Sequence, residues 1–180
     1  MSTTETRTVW AIDPTHSELL FKVKHLMITN VKGEFRSFNA SLESVGTDFS
    51  KAKVSATIDA DSIFTNNTDR DNHLKSADFF DVENHKELTF EGTSFTKLDE
   101  DNYQLKGNLT IKGVSKEITL DVEFGGIAKD PWGNEKAGFS LSGKINRKDW
   151  GLNWNAALEA GGVMVSDEVR INGEVQFVKQ

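Results

Sequence analysis

The histidines are the residues of this sequence best suited to metal binding or proton transfer. There are four of them, His16, His25, His73 and His85. His16 and His25 are an odd number of positions apart, so an unbroken strand would place them on opposite faces, where they cannot share an ion. The sequence contains no His-Glu-x-x-His pattern, and it has no Cys for a Cys/His cluster. We therefore predict no metal site and no cofactor.

Ser17, next to His16, is the nearest approach to a nucleophile beside its base. Neighbouring residues of a strand point to opposite faces, which rules out this local pair for nucleophilic catalysis. The sequence has no Gly-x-Ser-x-Gly motif and no phosphate-binding loop that ends in Gly-Lys-Ser/Thr before a helix. We therefore predict that the protein is not an enzyme.

One segment combines charge with histidine and differs in pattern from the rest of the chain. Around Asp71 and Lys75 the sequence lacks any apolar alternation. Thr68 with Asp71 is similar to an N-terminal capping pair, and an acid four residues before a lysine favours a helix. We predict a short helix near residues 69–77. It is too short to be stable alone, so it must pack against the rest of the fold, for example across one end.

Two interpretations of the charged residues in this segment stay open. In the first, Arg70 or His73 is a polar contact at the mouth of a cavity. In the second, Asp69 and Asp71 complement the positive end of the helix, and Arg70 forms an ion pair. We favour the second interpretation.

The composition limits the classes of function. The chain has 180 residues, a formal charge of −7 and a sequence pI of about 5.1, which fits one domain over residues 1–180. The acidic balance and the lack of a basic run argue against nucleic acid and disfavour an anionic membrane surface. No stretch approaches the length of a membrane-spanning helix. The first residues do not read as a secretory signal, so we expect the protein in the cytoplasm.

Period-two alternation dominates the remaining sequence and predicts strands with one buried face. Short polar links join them, so we predict an all-β antiparallel up-and-down barrel of about eight strands; a two-sheet sandwich is the alternative. The alternating segments lie at 17–25, 52–60, 87–91, 103–112, 117–124, 139–145 and 169–177.

Glycines and breaks in the alternation predict turns and bulges. We expect a hairpin turn at Lys112 and Gly113, a polar hairpin tip at 98–102, and further turns at 124–126 and 130–134. The alternation breaks between 35 and 38 and again at Gly92, which predicts bulges that help the sheet to curl.

The apolar face of such a barrel either packs into a solid core or lines a cavity for one small ligand. The sequence has 12 Phe and one Tyr, and phenylalanine suits a purely apolar lining. Ala56, Gly107, Gly143 and Gly173 fall at inward positions, where a solid core would need larger side chains. This slightly favours a cavity, although glycines also occur at bulges and barrel corners.

Seven segments in this order resemble the YceI-like family of lipid-binding barrels. The resemblance spans nearly the whole chain. The segments are 10–17 (Trp-Ala-Ile-Asp-Pro-Thr-His-Ser), 21–26 (Phe-Lys-Val-Lys-His-Leu), 31–35 (Val-Lys-Gly-Glu-Phe), 69–80 (Asp-Arg-Asp-Asn-His-Leu-Lys-Ser-Ala-Asp-Phe-Phe), 107–114 (Gly-Asn-Leu-Thr-Ile-Lys-Gly-Val), 145–152 (Ile-Asn-Arg-Lys-Asp-Trp-Gly-Leu) and 165–169 (Val-Ser-Asp-Glu-Val).

The resemblance implies a lipocalin-like barrel with a helix at one end. It also implies a long apolar channel for a polyisoprenoid chain, such as an isoprenoid quinone or a prenyl phosphate, or for a related fatty ligand. It implies a role in transport, storage or stress response, and homodimers are common in the family. A solid barrel that serves as an interaction module and a lipid-modifying enzyme remain the alternatives.

We combine the inward positions with this resemblance to predict the ligand-binding residues. Arg70 and His73 would lie beside the polar head of the ligand. Trp150 and Trp154 lie near the Arg147-Lys-Asp149 corner, and they either line the channel or pack it. The predicted lining comprises Leu19, Phe21, Val23, Phe38, Ile58, Phe90, Leu105, Leu109, Ile111, Leu120, Val122, Phe124, Phe139, Leu141, Trp150, Trp154, Ile171 and Phe177.

Overall fold

A computed structural model describes residues 7–26, 28–155 and 165–180. These residues form eleven strands, one α-helix and three short 3-10 helices, at Pro14–His16, Ala60–Ser62 and Arg147–Trp150. The elements are β1 (Arg7–Ile12), β2 (Glu18–His25), β3 (Thr29–Phe35), β4 (Phe38–Val45), β5 (Asp48–Asp59), β6 (Ile63–Phe64), α1 (Thr68–Lys75), β7 (Glu87–Lys97), β8 (Asn102–Ile111), β9 (Val114–Lys129), β10 (Glu135–Asn146) and β11 (Val165–Lys179).

The eleven strands form a closed barrel of eight long antiparallel strands. The first three long strands are each interrupted by a bend, so that β1 continues as β2, β3 as β4, and β5 as β6. Each long strand pairs with the next in the chain, and β11 pairs with both β1 and β2, which closes the circle. Closure removes the unpaired edges that a sheet would otherwise expose. The predicted up-and-down barrel is confirmed, and the sandwich alternative is wrong.

The predicted irregularities are found with one exception. A break separates β3 from β4, and the β7–β8 register shifts between Gly92 and Ser94. Lys112 and Gly113 form the β8–β9 turn, both with positive φ, as a tight two-residue hairpin requires. The turn predicted at 124–126 is wrong. β9 continues through it, and its register with β10 shifts there instead, so the glycines form a bulge.

Helix α1 lies between β6 and β7. It begins one residue earlier and ends two residues earlier than residues 69–77. The N-cap is Asn67, whose side chain accepts a hydrogen bond from the Arg70 backbone N–H at 3.0 Å, so the Thr68 capping pair is wrong. In the part of the chain that the structure describes, no helix is long and apolar enough to cross a membrane.

Candidate ligand cavity

The barrel encloses a cavity of about 630 Å³. This is within the range of roughly 300–1,000 Å³ that is typical of small-molecule sites. Leucine, isoleucine, valine and phenylalanine side chains from inward strand positions form most of its wall. The exposed residues Asn67 and Asp69 also line it, so the cavity reaches the surface beside α1. We call this end of the barrel the mouth and the opposite end the floor.

All but two of the residues predicted to bind a ligand lie in the cavity wall. The alternation finds those that lie on strands because one face of every strand points inward. Whether they contact a ligand stays a prediction. The predicted residues in the wall are Leu19, Phe21, Val23, Phe38, Ile58, Phe90, Leu105, Leu109, Ile111, Leu120, Val122, Phe139, Leu141, Trp154, Ile171, Phe177, Arg70 and His73.

Phe124 is the first of the two that do not line the cavity. It belongs to an aromatic cluster that fills the floor. Its ring centroid is 5.1 Å from that of Phe49 and 5.3 Å from that of Phe139, and Phe49 in turn packs 5.6 Å from Trp10. Alternation gives the direction of a side chain but not its height in the barrel. Phe124 therefore closes the bottom of the cavity without lining it.

Trp150 is the second exception. It is 2 % exposed, and its indole N–H donates a 2.8 Å hydrogen bond to the backbone carbonyl of Leu109. It lies in a 3-10 helix beyond the end of β10, where alternation does not apply. The side chain packs behind the wall and does not line the cavity, and its contribution to ligand binding stays a prediction.

Arg70 lines the mouth, but it forms no ion pair among the described residues. Its Nε donates to the Thr65 hydroxyl at 2.8 Å, and its Nη2 donates to the Thr65 carbonyl at 2.6 Å. The buried Asp71 carboxylate accepts from the Thr65 backbone N–H at 2.8 Å. Two nitrogens of the Arg70 guanidinium thus hold the segment before α1 in place. The predicted ion pair of Arg70 is not found among the described residues, and a half-buried cation lies at the mouth.

His73 belongs to an aromatic group that covers part of the mouth. Its ring lies edge-on to Trp154, with centroids 4.6 Å apart, and edge-on to Phe79 at 5.1 Å. Its Nε2 is 2.9 Å from the Asp78 carboxylate. These contacts join α1 to the segment after β10. Both elements border the opening, so a ligand that enters here passes this group.

Arg147 is a cavity residue that the sequence reasoning missed. Its guanidinium is almost fully buried and donates to the carbonyls of Leu152 at 2.6 Å, Trp154 at 2.8 Å and Ser166 at 2.9 Å. Burial lowers the pKa of Arg147 and the nearby Asp167 opposes this, but an arginine remains charged in either case. The sequence signal that could have identified Arg147 is its place directly after a strand and shortly before Trp150 and Trp154.

Other residues of the cavity wall were not predicted. Some lie outside the alternating segments, and others lie within these segments but were not chosen as ligand-binding residues. Leu20 breaks the parity of its strand and still reaches the cavity. Phe79 and Phe80 follow α1, where no strand pattern exists. The missed apolar residues include Ile12, Leu20, Val31, Phe35, Leu42, Val54, Leu74, Phe79, Phe80, Leu88, Phe95, Ile118, Ile145, Leu152, Val165, Val169 and Val175.

The inward glycines do not create empty space. A Cβ at Gly107 would lie 2.4 Å from the Phe90 ring, and one at Gly143 would lie 2.5 Å from a methyl group of Leu120. Each glycine is instead covered by a large side chain of the neighbouring strand, which needs the missing Cβ in order to lie flat against the wall. For the glycines, the reason given was therefore wrong, whereas Ala56 does line the cavity.

Asp13 is the most strongly perturbed acid. It accepts from Lys136 Nζ at 2.8 Å and from the Thr15 hydroxyl at 2.7 Å, and it lies 2.9 Å from His16 Nδ1. These hydrogen bonds, that of Lys136 first, hold the pKa of Asp13 well below its ordinary value. The group joins the β1–β2 bend to β10 and does not line the cavity. Across residues 7–26, 28–155 and 165–180, no three His, Asp or Glu side chains converge to hold a metal.

Comparison with known proteins identifies the family. The family model described as the YceI-like domain matches residues 10–177. A UPF0312 protein of Staphylococcus epidermidis is 45% identical over 171 residues, which cover 94% of this chain and 97% of the relative.

Solved structures agree with this match. A Campylobacter jejuni YceI protein superposes with a TM-score of 0.75 at 39% identity and covers 87% of this chain and 90% of that one. A Saccharophagus degradans domain, described as polyisoprenoid binding and implicated in plant cell wall breakdown, has the same fold, with a TM-score of 0.65 at 14% identity over 95% of this chain and 98% of that one. The protein belongs to the YceI-like domain family.

Proposed function

We propose that the barrel binds a long-chain polyisoprenoid, or a similar amphipathic lipid, with the apolar tail inside the cavity. The observation that carries the proposal is the cavity itself, which is apolar along the barrel, closed by aromatic rings at the floor and polar at the mouth. An amphipathic lipid has the matching arrangement, with a long apolar tail and a polar head group at one end. A solid-core barrel does not fit a cavity of about 630 Å³.

The tail supplies most of the binding free energy. Each buried methylene group contributes about 0.8 kcal/mol when it leaves water for an apolar wall. Because this term does not depend on direction, the site discriminates by the length and apolarity of the tail more than by its detailed structure. The head group would remain at the mouth, near Arg70 and His73, where a half-buried cation and a histidine are available.

The name of the Saccharophagus degradans domain supports an isoprenoid as the class of ligand. The proposal assigns no catalytic step to this chain. At the mouth, Arg70 bonds to the Thr65 hydroxyl and carbonyl, and His73 lies 2.9 Å from the Asp78 carboxylate. Transport, storage and stress response are the roles that such binding would serve, and a homodimer is expected from the family resemblance.

A titration of delipidated protein with prenols of increasing chain length tests the proposal. Trp154 lies at the mouth, so quenching of its fluorescence by quinone analogues gives a second signal. We expect affinity to rise with each isoprene unit, by at most about 4 kcal/mol, until the cavity is full. An affinity that does not change with tail length would overturn the proposal.

A further inference from the structure

Four cations form a continuous row across the outer face of the barrel. The strand register places Lys144 opposite Arg170, Arg170 opposite Lys22, and Lys22 opposite Lys32. The four residues therefore lie side by side on β10, β11, β2 and β3. We call them the basic row. It occurs in a chain whose formal net charge is −7.

The stability of the barrel does not explain this row. Like charges that lie directly opposite each other on paired strands are destabilising. Lys144 approaches Glu168 at 3.7 Å, but Arg170, Lys22 and Lys32 form no ion pair with any described residue. The row thus holds three unneutralised cations side by side.

Glu168, opposite Asn146, lies on the mouth side of the row, and the other neighbouring acids of this face lie on the floor side. Glu34, opposite Leu20, comes next along the same face and pairs with Arg36 at 2.8 Å. Glu18 and Glu174, which face each other, follow further towards the floor. Along β2 and β3, this wall of the barrel is therefore basic near the mouth and acidic near the floor.

The basic row lies just below an exposed apolar turn. The β2–β3 hairpin continues for three more residue pairs, to His25 opposite Thr29, which is about 10 Å at roughly 3.3 Å per residue. Ile28, in the turn beyond, is 79% exposed. His25 and Lys24, at the end of β2, line the cavity. The apolar turn, the cations and the mouth thus lie at the same end of the barrel.

We propose that the basic row and Ile28 together form a docking surface for an anionic lipid bilayer. Apolar side chains of peripheral proteins enter about 5–10 Å into the interface, which would bring the row to the level of the head groups. Each lysine or arginine near such a surface adds to the attraction. The docking would place the mouth against the membrane, where a lipid could pass between the bilayer and the cavity. This role of the docking surface rests on the proposed function of the cavity.

The net charge of the chain does not oppose such docking. At physiological ionic strength, charges are screened beyond about 8 Å, so the bilayer responds to the face that it meets. The sequence-based expectation that an acidic protein avoids anionic membranes averaged the charge over the whole surface. A nucleic acid would also attract the cations, but it would gain nothing from the exposed Ile28, so the lipid surface is the better match.

Co-sedimentation with vesicles tests this proposal. The probes are vesicles of pure phosphatidylcholine and vesicles with roughly one phosphatidylglycerol in three lipids. We expect binding to the anionic vesicles only, with a loss at high salt. The Lys22→Gln/Lys32→Gln variant should bind roughly 25-fold more weakly, at about fivefold for each cation removed. Ile28→Ser should weaken binding by about tenfold.

The control is Lys53→Gln/Lys106→Gln, which removes the same charge from exposed outward positions of β5 and β8. It should bind as the unmodified protein does. The proposal fails if the unmodified protein does not prefer anionic vesicles, if the two double variants bind alike, or if heparin is bound while vesicles are not.

Two further readouts separate the possible failures. Thermal melting of Lys22→Gln/Lys32→Gln should be unchanged or raised, because a repulsion is removed. A large loss of stability would assign the row a structural role and overturn the proposal. Solvent extraction of the same preparations reports on the cavity alone. Protein that carries lipid but does not bind vesicles would refute the docking surface. Protein that carries no lipid but binds vesicles would refute the proposed function of the cavity.

Discussion

Filling the cavity from one small side chain separates binding from stability. Ala56 lines the cavity and is only half-buried, and its cross-strand partner is Ala40, which is also in the wall. An Ala56→Trp substitution would add about nine non-hydrogen atoms to a cavity of about 630 Å³. The indole would occupy space that the structure leaves empty.

The magnitude follows from the tail that the indole displaces. If about five methylene groups of the lipid lose their place at about 0.8 kcal/mol each, binding weakens by about 4 kcal/mol. This corresponds to a loss of affinity of roughly 700-fold. The free energy of unfolding should change by no more than about 1 kcal/mol. Overpacking of a solid core would instead cost about 1–3 kcal/mol.

The assay is a titration of delipidated protein with a fluorescent polyprenol analogue, together with urea unfolding. The matched control is Thr57→Trp, the next residue on the same strand, which is exposed on the outer face. It adds an indole without entering the cavity and should leave affinity unchanged. Equal affinity of Ala56→Trp and Thr57→Trp would refute the reasoning. So would a loss of several kcal/mol of stability with no ligand bound by either protein.

Three further predictions concern single residues. Trp150→Phe leaves the Leu109 carbonyl without its donor and should lower the free energy of unfolding by about 1–2 kcal/mol in urea, with lipid affinity almost unchanged; a variant that unfolds normally but no longer binds lipid would contradict the structural role. Asp13→Asn weakens the contact with Lys136 and should cost about 2 kcal/mol at neutral pH. The pKa of Asp13 is lower in the folded protein, so its stabilisation is present above the ordinary value of about 3.9 and is lost as the pH falls below it. Urea unfolding should therefore show a smaller difference between the two proteins at pH 3 than at pH 7, and a constant difference would argue against this origin. Arg70→Gln should weaken binding of a prenyl phosphate by about tenfold and of the matching prenol much less, because only the phosphate gains from a charged donor; equal losses in a paired titration would indicate a purely structural arginine.

The barrel could be predicted because the sequence signals for its strands and turns are local. Alternation marks the inward residues, and short polar links mean that neighbouring strands in the chain pair in space. Gly92 and the Lys112–Gly113 turn also have local signatures, and both are found. The bends that divide the first three long strands carry weaker signals, and only the one between 35 and 38 was anticipated.

The sequence could not predict how far along the barrel axis a side chain lies, or which contacts are made by residues outside the strands. Phe124 points inward, as its parity predicts, yet it lies at the floor. Gly125 and Gly126 look like a turn, but the pairing of β9 with β10 continues past them. Arg147 and Trp150 lie after the end of β10, and tertiary contacts alone decide that one caps carbonyls beside the cavity and the other packs behind its wall.

The central claim is that the cavity holds the tail of a long-chain isoprenoid or a similar lipid. The most direct measurement is mass spectrometry of an organic extract from natively purified protein, with Ala56→Trp purified in parallel. We predict a long-chain isoprenoid in near-stoichiometric amount from the unmodified protein and little from the variant. An empty extract from the unmodified protein, repeated after incubation with an isoprenoid quinone and a prenyl phosphate, would contradict the claim.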